Sequence, residues 1–352
     1  MRICGKKILG LMISIFFITL IIHQIDIKKS LDSFNNINLT LFPLIIPIYY
    51  LAFLMRALRW KVILSNDSSL KIRSLISSIF IGFTANSFLP ARMGEFYRAH
   101  LFGKKENIKR AKVFASIVIE RVFDGSVLFF ILLSLIFFLY SKPWLFKLAF
   151  AVGIIFIGSF CFLLIFSKLR KSSLFRENFI LISLKTLFNN ILNKFPENIQ
   201  KGIFYTINKV DYLLSSFLDG LDIFHYPGLL IKAVLLTFLI WLCEGTVVFI
   251  IIKGFGININ FLSAVFVLCV TAFSTMIPAG PASIGPYQWG YILALGVFGI
   301  TKELAFAVSI VNQFIAVSLV SSGGFFFIWR DHINFKEIEN NIKIEEEPEK
   351  VF

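Results

Sequence analysis

The sequence predicts an all-α polytopic integral membrane protein of about 7–8 spanning helices, with one or two re-entrant or broken segments and signs of an internal repeat. Three observations predict it. Of the 352 residues, 57% are hydrophobic and only 16% charged, and the mean hydropathy is +0.81, a composition no water-soluble domain carries. Several runs reach the roughly 20 apolar residues that cross a bilayer. Basic residues crowd some connections between these runs and avoid others, as in a chain threaded with its positive loops inside.

The first helix is read at 8–25. "MRICGKKILGLMISIFFITLIIHQI" has the outline of a signal peptide, but it lacks a small-residue cleavage site and further spans follow, so it reads as an uncleaved helix. Arg2, Lys6 and Lys7 put the N-terminus in the cytoplasm. Further spans are expected at 41–64, 113–140, 144–166, 229–252, 259–277 and 304–329, and shorter, interrupted segments at 72–91 and 279–300. Residues 56–73 carry five basic side chains and one acidic, 92–112 seven and two, and 167–228 eight and five. By contrast, 26–38 carries two of each sign, and Lys142, Lys253 and Lys302 stand almost alone. All the basic connections share the cytoplasmic side only if 72–91 enters and returns on that side. Its turn, within "FTANSFLPARMGEFYRAH" (83–100), is then polar backbone at membrane depth, which is tolerated only where protein or water covers it. For 279–300 the charge count leaves crossing and dipping open; a dip from inside would point the tail outward.

The membrane domain is drawn at 1–330. Within it, 167–228 is a polar cytoplasmic insertion in which Ile199, Ile203, Ile207, Val210, Leu214, Phe217 and Leu221 recur at helical spacing. These read as amphipathic helices on the leaflet surface, or as a small soluble helical hairpin. Residues 331–352, ending "IEEEPEKVF", read as a short acidic cytoplasmic tail without fixed structure. The net charge of +14 fits the positive-inside rule and anionic lipid headgroups, so nucleic acid is not an expected partner. Cys4, Cys161, Cys243 and Cys269 are scattered without a CxxC pair, and the histidines are equally dispersed. No metal or cofactor is expected.

"TANSFLPARMGEFY" (84–97) aligns with "TAFSTMIPAGPASIGPY" (271–287): both read Thr-Ala-x-Ser, then Pro-Ala, then a glycine and an aromatic. Downstream, "FASIVIER" (114–121) matches "FAVSIVNQ" (306–313). Paired segments interrupted by Gly and Pro at matching places in two halves point to a transporter's binding site. Pro90, Pro278, Pro281 and Pro286 stop helices, and Gly94, Gly280 and Gly285 allow tight turns. Asn86 and Ser283 belong to the same turns. Broken helices leave N–H groups whose partial positive charge suits a phosphate.

Glu120 lies about 10 Å into the helix expected from residue 113, at about 1.5 Å per residue. It shares a face with Asp124, and Arg121 is spaced to pair with Asp124. A charge at such depth costs roughly 2.5 kcal/mol or more and faces a partner or water. Arg92, Glu95, Arg98, Arg56 and Arg59 are the candidate partners. The cluster reads either as a headgroup site or as a buried ion network that holds the hairpin in place. Glu244, in "IWLCEGTVVF", is a further carboxylate near mid-membrane, protonated or paired.

At "RALRW" (56–60), "NSFLPARMGEFYRAH" (86–100), "SIVIERVFDG" (116–125) and "IPAGPASIGPYQWGY" (277–291) the chain resembles the flippase-like membrane region of the lysylphosphatidylglycerol synthase superfamily. The likeness covers most of the chain, from about residue 50 to 320. It implies lipid movement between leaflets. The family's full-length synthases add a soluble domain that transfers an aminoacyl group from tRNA; with only 331–352 after the last span, that activity is not expected here. Carried over residue by residue, the resemblance implies a polar core of Arg92, Glu95, Arg98, Glu120, Arg121 and Asp124, with a second turn at 278–285. An acidic residue often follows the family's second turn, whereas here Gln288 stands near that place.

The expectation is a protein that moves an anionic, aminoacylated or polyprenyl-phosphate lipid between leaflets of the inner membrane. Arginines would hold the phosphate by bidentate hydrogen bonds, and carboxylates would pair them when empty. The alternatives are a membrane-embedded transferase acting on a lipid headgroup and a scaffold for a separate glycosyl- or aminoacyltransferase. No nucleotide-binding, nucleophile or metal signature favours the transferase.

Overall fold

The computed structural model describes residues 2–35, 37–64, 70–89, 93–139, 143–171 and 215–333. Pro90 and Arg92 of the first turn, most of the polar insertion (172–214) and most of the tail (334–352) lie outside the described residues. Helix dominates what is described, as hydrocarbon demands: a segment there must satisfy its own backbone N–H and C=O groups. In order the helices are α1 (Arg2–Ile22), α2 (Ile27–Asp32), α3 (Ile45–Ile63), α4 (Ile72–Phe88), α5 (Gly94–Glu106), α6 (Arg110–Leu139), α7 (Pro143–Lys171), α8 (Pro227–Gly254), α9 (Phe261–Ser274), α10 (Pro286–Gly296) and α11 (Lys302–Arg330). The segments Phe42–Ile63, Pro143–Lys168, Pro227–Gly254 and Lys302–Arg330 are long and apolar enough to cross a membrane. Helix α6 matches them in length with 30 residues and carries the deep charges.

Contacts fix the direction of each helix. Asn38 N–H donates to the Gly254 carbonyl (2.8 Å) beside the start of α3, and Arg59 near its end donates to Thr237 early in α8 (3.0 Å), so α3 and α8 are antiparallel. At the far end of α1, Lys302 Nζ donates to Gln24 Oε1 (2.8 Å), which places that end beside the start of α11. The remaining contacts between helices put the described residues 56–64, 70–73, 93–112, 167–171 and 215–228 at one face and the described residues of the nearly neutral connections at the other. The sequence's charge bias thus reappears as geometry.

Helices α4 and α5 form a hairpin that opens at the basic face. Gly94 N–H donates to Asn86 Oδ1 (2.8 Å) across the turn. A Cβ on Gly94 would sit 2.0 Å from the Gly82 carbonyl oxygen, so only glycine lets the two backbones approach this closely. With 17 and 13 residues, the arms reach about 26 and 20 Å, short of the roughly 30 Å hydrocarbon core. The expected re-entrant segment has that form.

A second hairpin comes from α9 and α10, of 14 and 11 residues. The stretch read as a span at 259–277 is therefore one arm, and 279–300 is the turn and the return arm. Pro278, Pro281 and Pro286 halt the first arm and start the second; Pro286 occupies the first position of α10, where a missing N–H costs nothing. This hairpin opens at the neutral face. Its dip comes from the side opposite to the first, so α11 ends at the basic face where α1 begins.

The aligned motifs therefore mark a structural repeat: entering helix, hairpin, leaving helix (α3 to α6, then α8 to α11). Because α3 and α8 are antiparallel, the second copy is inverted, the arrangement seen where transporters place substrate sites at a repeat interface. One apolar core is built mainly from α8 to α11 with parts of α6 and α7, and another from α3, α4 and α5 with α6.

Candidate functional site

Three helices bring the deep charges together. Arg59 on α3 grips Asp124 on α6 with two nitrogens (Nη1 to Oδ1 2.5 Å, Nη2 to Oδ2 3.3 Å) and lies 3.6 Å from Glu120. Arg98 on α5 donates to Glu120 Oε2 (2.7 Å) and stacks 3.6 Å above the Trp60 ring. Arg98 and Glu120 are 3% and 1% exposed. Of the predicted cluster, Arg59, Arg98 and Glu120 form its sealed end, where each charge has a partner and a bond (about 1.5–3 kcal/mol for charged hydrogen bonds) that offsets its desolvation.

The other end is open. Arg121 Nε lies 3.0 Å from Glu95 Oε1, with exposures of 30% and 20%. Its Nη1 donates to Asp124 Oδ2 over 3.5 Å. Arg56 donates to Glu244 (2.8 Å), at 11% and 19% exposure. Arg56 and Arg121 each place their guanidinium 5.6 Å from the centre of the Phe83 ring. Glu244 thus has the partner that sequence spacing could not name.

The second turn is held by neutral groups. Ser14 on α1 donates to the Ile284 carbonyl (2.7 Å) and accepts from Gly280 N–H (2.9 Å). Gln288 accepts from Gly285 N–H (2.7 Å), Gln288 Nε2 donates to Gln313, and Gln313 donates to the Ala282 carbonyl (2.7 Å). Ala282 and Ser283 hold left-handed backbone (φ 52° and 55°), strain that the Gln288–Gln313 pair and Ser14 keep in place.

Between the two turns lies a cavity of about 290 Å³. Phe83, Asn86, Ser87, Glu95 and Arg121 line it from the first repeat, and Thr275, Ala282, Ser283, Tyr287 and Gln313 from the second, with Tyr49 closing one wall. The half-helices α5 and α10 both begin here, so both aim the positive ends of their dipoles at it. Of the predicted residues, Asn86, Glu95, Arg121 and Ser283 line the cavity; Arg56, Asp124, Gly94, Gly280 and Gly285 support its walls. Pro278 and Pro281 shape the second turn. Sequence reasoning missed Ser14, Tyr49, Phe83, Tyr287 and Gln313, neutral or aromatic residues without a charge to betray them. The matched "FASIVIER" and "FAVSIVNQ" did hold a signal for Gln313, which aligns with Arg121. Among the described residues no group of three or more His, Cys, Asp or Glu side chains is arranged to hold a metal ion.

The sequence profile of the lysylphosphatidylglycerol synthase TM region matches residues 7–324. The chain belongs to this family. Among curated proteins, this family member is 29% identical over 266 residues to a UPF0104 membrane protein of Methanocaldococcus jannaschii, covering 72% of the chain and 97% of that protein. A second UPF0104 membrane protein of the same organism is 24% identical over 333 residues, 91% of the chain and 93% of its own length. Glycosyltransferase AglD of Haloferax volcanii is 30% identical over 116 residues, 33% of the chain but 19% of that protein. No solved structure matches the chain.

Proposed function

We propose that this protein moves a lipid with an anionic or phosphate-bearing headgroup, aminoacylated phospholipid and polyprenyl phosphate included, between the leaflets of the cell's inner membrane, with its N-terminus in the cytoplasm. The carrying observation is the cavity where two inverted hairpins meet. Each turn is reached from a different face, so small rearrangements of either repeat open the cavity to one side at a time. Arg121 and the starts of α5 and α10 attract the headgroup's charge. Glu95 holds Arg121 in the empty state. Arg59, Arg98 and Glu120 hold the first hairpin as a rigid body rather than touching the lipid.

The test is reconstitution into vesicles with NBD-tagged phosphatidylglycerol, phosphatidylethanolamine, phosphatidylcholine or polyprenyl phosphate, read by dithionite quenching of the outer leaflet. Wild type is expected to equilibrate an anionic lipid, and Arg121→Ala to slow it at least tenfold. Equal movement of all four lipids, or of none, sinks the reading.

A second reading rests on the AglD likeness: the chain as membrane partner of a separate glycosyltransferase. It predicts co-purification with such an enzyme and unaltered partner activity in Arg121→Ala.

A further inference from the structure

The cavity between the two turns is too small for a whole lipid. At about 290 Å³, with Asn86, Glu95, Arg121 and Gln313 in its walls, it suits a headgroup. The hydrocarbon of the same molecule has to rest on apolar surface nearby. A second hollow, of about 370 Å³, lies beside the cavity on the same three helices. Tyr50 and Leu54 line it from α3, Ile76 and Phe80 from α4, and Gly323 and Phe326 from α11. From those helices the cavity takes the neighbouring Tyr49, Phe83 and Val320. This hollow is more than twice the size of an apolar cavity of roughly 150 Å³ that takes benzene.

Packing builds this groove and ties it to the cavity. A Cβ on Gly323 would sit 2.5 Å from Phe80 Cδ1, so glycine there lets the Phe80 ring lie against α11. Ring contacts then run from one hollow to the other: Phe327 to Phe80 (centroids 5.7 Å apart), Phe80 stacked on Phe53 (4.2 Å), and Phe53 edge-on to Phe83 (5.5 Å). Two phenols fasten α3 to α11 at the step between them. Tyr49 donates to the Ala316 carbonyl (3.2 Å), and the Tyr50 and Ser322 hydroxyls are 3.0 Å apart. Leu54, Ser322 and Phe326 are exposed, and α3 and α11 belong to segments long and apolar enough to cross a membrane, so the groove opens to lipid chains. It runs toward the basic face, where Ile76 adjoins Ser77, whose hydroxyl donates to Asp331 just past α11 (2.6 Å).

We propose that this groove holds a stretch of hydrocarbon chain, acyl or polyprenyl, of the same lipid molecule whose phosphate-bearing headgroup enters the cavity. The inference rests on the lipid-transport reading for its choice of occupant. Bilayer chains are as apolar as the groove, so a chain gains little by moving into it. Selection therefore comes from the headgroup next door, which Arg121 attracts, and the groove supplies position. With its chain lodged on the basic side, the lipid presents its headgroup at the Tyr49–Tyr50 step, within reach of both turns. A neutral lipid has no such tether and passes through the groove as ordinary solvent.

The experiment uses the full chain in phosphatidylcholine vesicles with a photoreactive diazirine in the chain of phosphatidylglycerol, phosphatidylcholine or polyprenyl phosphate, one probe at a time. Labelled residues are mapped by mass spectrometry, and movement of NBD-tagged lipids is followed in parallel. The acyl and polyprenyl probes distinguish the two sources of chain. An anionic probe is expected to label Leu54, Ile76 and Phe326 roughly tenfold more than phosphatidylcholine does, and Arg121→Ala to remove that preference, as the loss of one charge-assisted hydrogen bond requires. Leu54→Trp, which fills the groove, is expected to abolish the labelling and to slow lipid movement about fivefold or more. Leu51→Trp, exposed on the same helix outside the groove, should do neither. If Leu54→Trp does not accumulate as folded protein, Ser322→Phe fills the groove from α11. Equal labelling by anionic and neutral probes, or labelling unchanged in Arg121→Ala, overturns the inference. A groove that no probe labels overturns it too, since protein then covers that face. Lipid movement without selective labelling removes the chain site and leaves transport standing. Selective labelling without movement of any NBD-tagged lipid keeps the chain site and removes the transport reading.

Discussion

The two hairpins share a backbone plan and differ in charge. In the first, α6 braces α5 with ions: Glu120 takes Arg98, and Arg121 lies against Glu95. In the second, α11 braces α10 and its turn with amides: Asn312 donates to the Tyr291 hydroxyl, and Gln313 meets Gln288 and the Ala282 carbonyl. The aligned motifs put Glu120–Arg121 on Asn312–Gln313. A re-entrant hairpin can therefore be held by neutral hydrogen bonds alone. The ions of the first repeat exceed what bracing requires, and their exposed members face the cavity.

The largest expected effect separates the repeats directly. Glu120→Gln leaves Arg59 and Arg98 buried and short of a counter-charge, at a cost of about 3–5 kcal/mol. Asn312→Ala removes a neutral bond and costs about 1–2 kcal/mol. Thermal unfolding in detergent, followed by size-exclusion, compares the two. Equal losses would break the distinction, because the charges would then be interchangeable with amides.

Close packing offers the next comparison. Alanine at Gly94 presses on the Gly82 backbone carbonyl at 2.0 Å, which cannot step aside, whereas alanine at Gly290 meets the Ser274 hydroxyl at 2.4 Å, which can rotate, and the Thr271 Cα at 2.9 Å. Gly94→Ala should cost about 3 kcal/mol and Gly290→Ala about half that, with Ser274→Ala recovering part of the latter. A Gly290→Ala loss as large as that of Gly94→Ala would show both arms to be equally rigid.

Legibility in the sequence follows the same divide. The first hairpin could be read because its flanks are rich in Lys and Arg. The second could not, because Lys253 and Lys302 give its flanks no bias and an apolar arm of 14 residues looks like part of a span. The partners Arg56 and Glu244 stand 188 positions apart, and only the antiparallel packing of α3 on α8 joins them. For Arg98 residue type leaves a headgroup ligand and a member of a buried ion network both open, and its burial against Trp60 and Glu120 is a matter of packing that the sequence does not show. Neutral polar residues such as Ser14 and Gln313 carry too little desolvation cost to stand out in an apolar run.

The smallest expected effect lies at the open end of the first hairpin. Asp331, just past α11, accepts from Ser77 on α4 (2.6 Å), Lys105 on α5 (2.9 Å) and Arg330 Nε (2.8 Å), clasping both arms. At the opposite end α11 is tied to α1 and α2, through Lys302 to Gln24 and Ser30 to the Glu303 carbonyl. Burial pushes the Asp331 carboxyl up, but the bonds from Ser77, Lys105 and Arg330 outweigh it and hold the group below the ordinary Asp range. A depressed folded value means stability that is fully present above the unfolded value of about 3.9 and is lost as pH falls through the folded one. The clasp is partly exposed, so its worth is about 1 kcal/mol or less. Asp331→Asn should lower the melting temperature slightly at neutral pH and flatten the decline below about pH 4. An unchanged acid slope in that variant would move the sensitivity to another carboxylate and leave the hairpins distinguished by their mid-membrane charges, not by how their open ends are fastened.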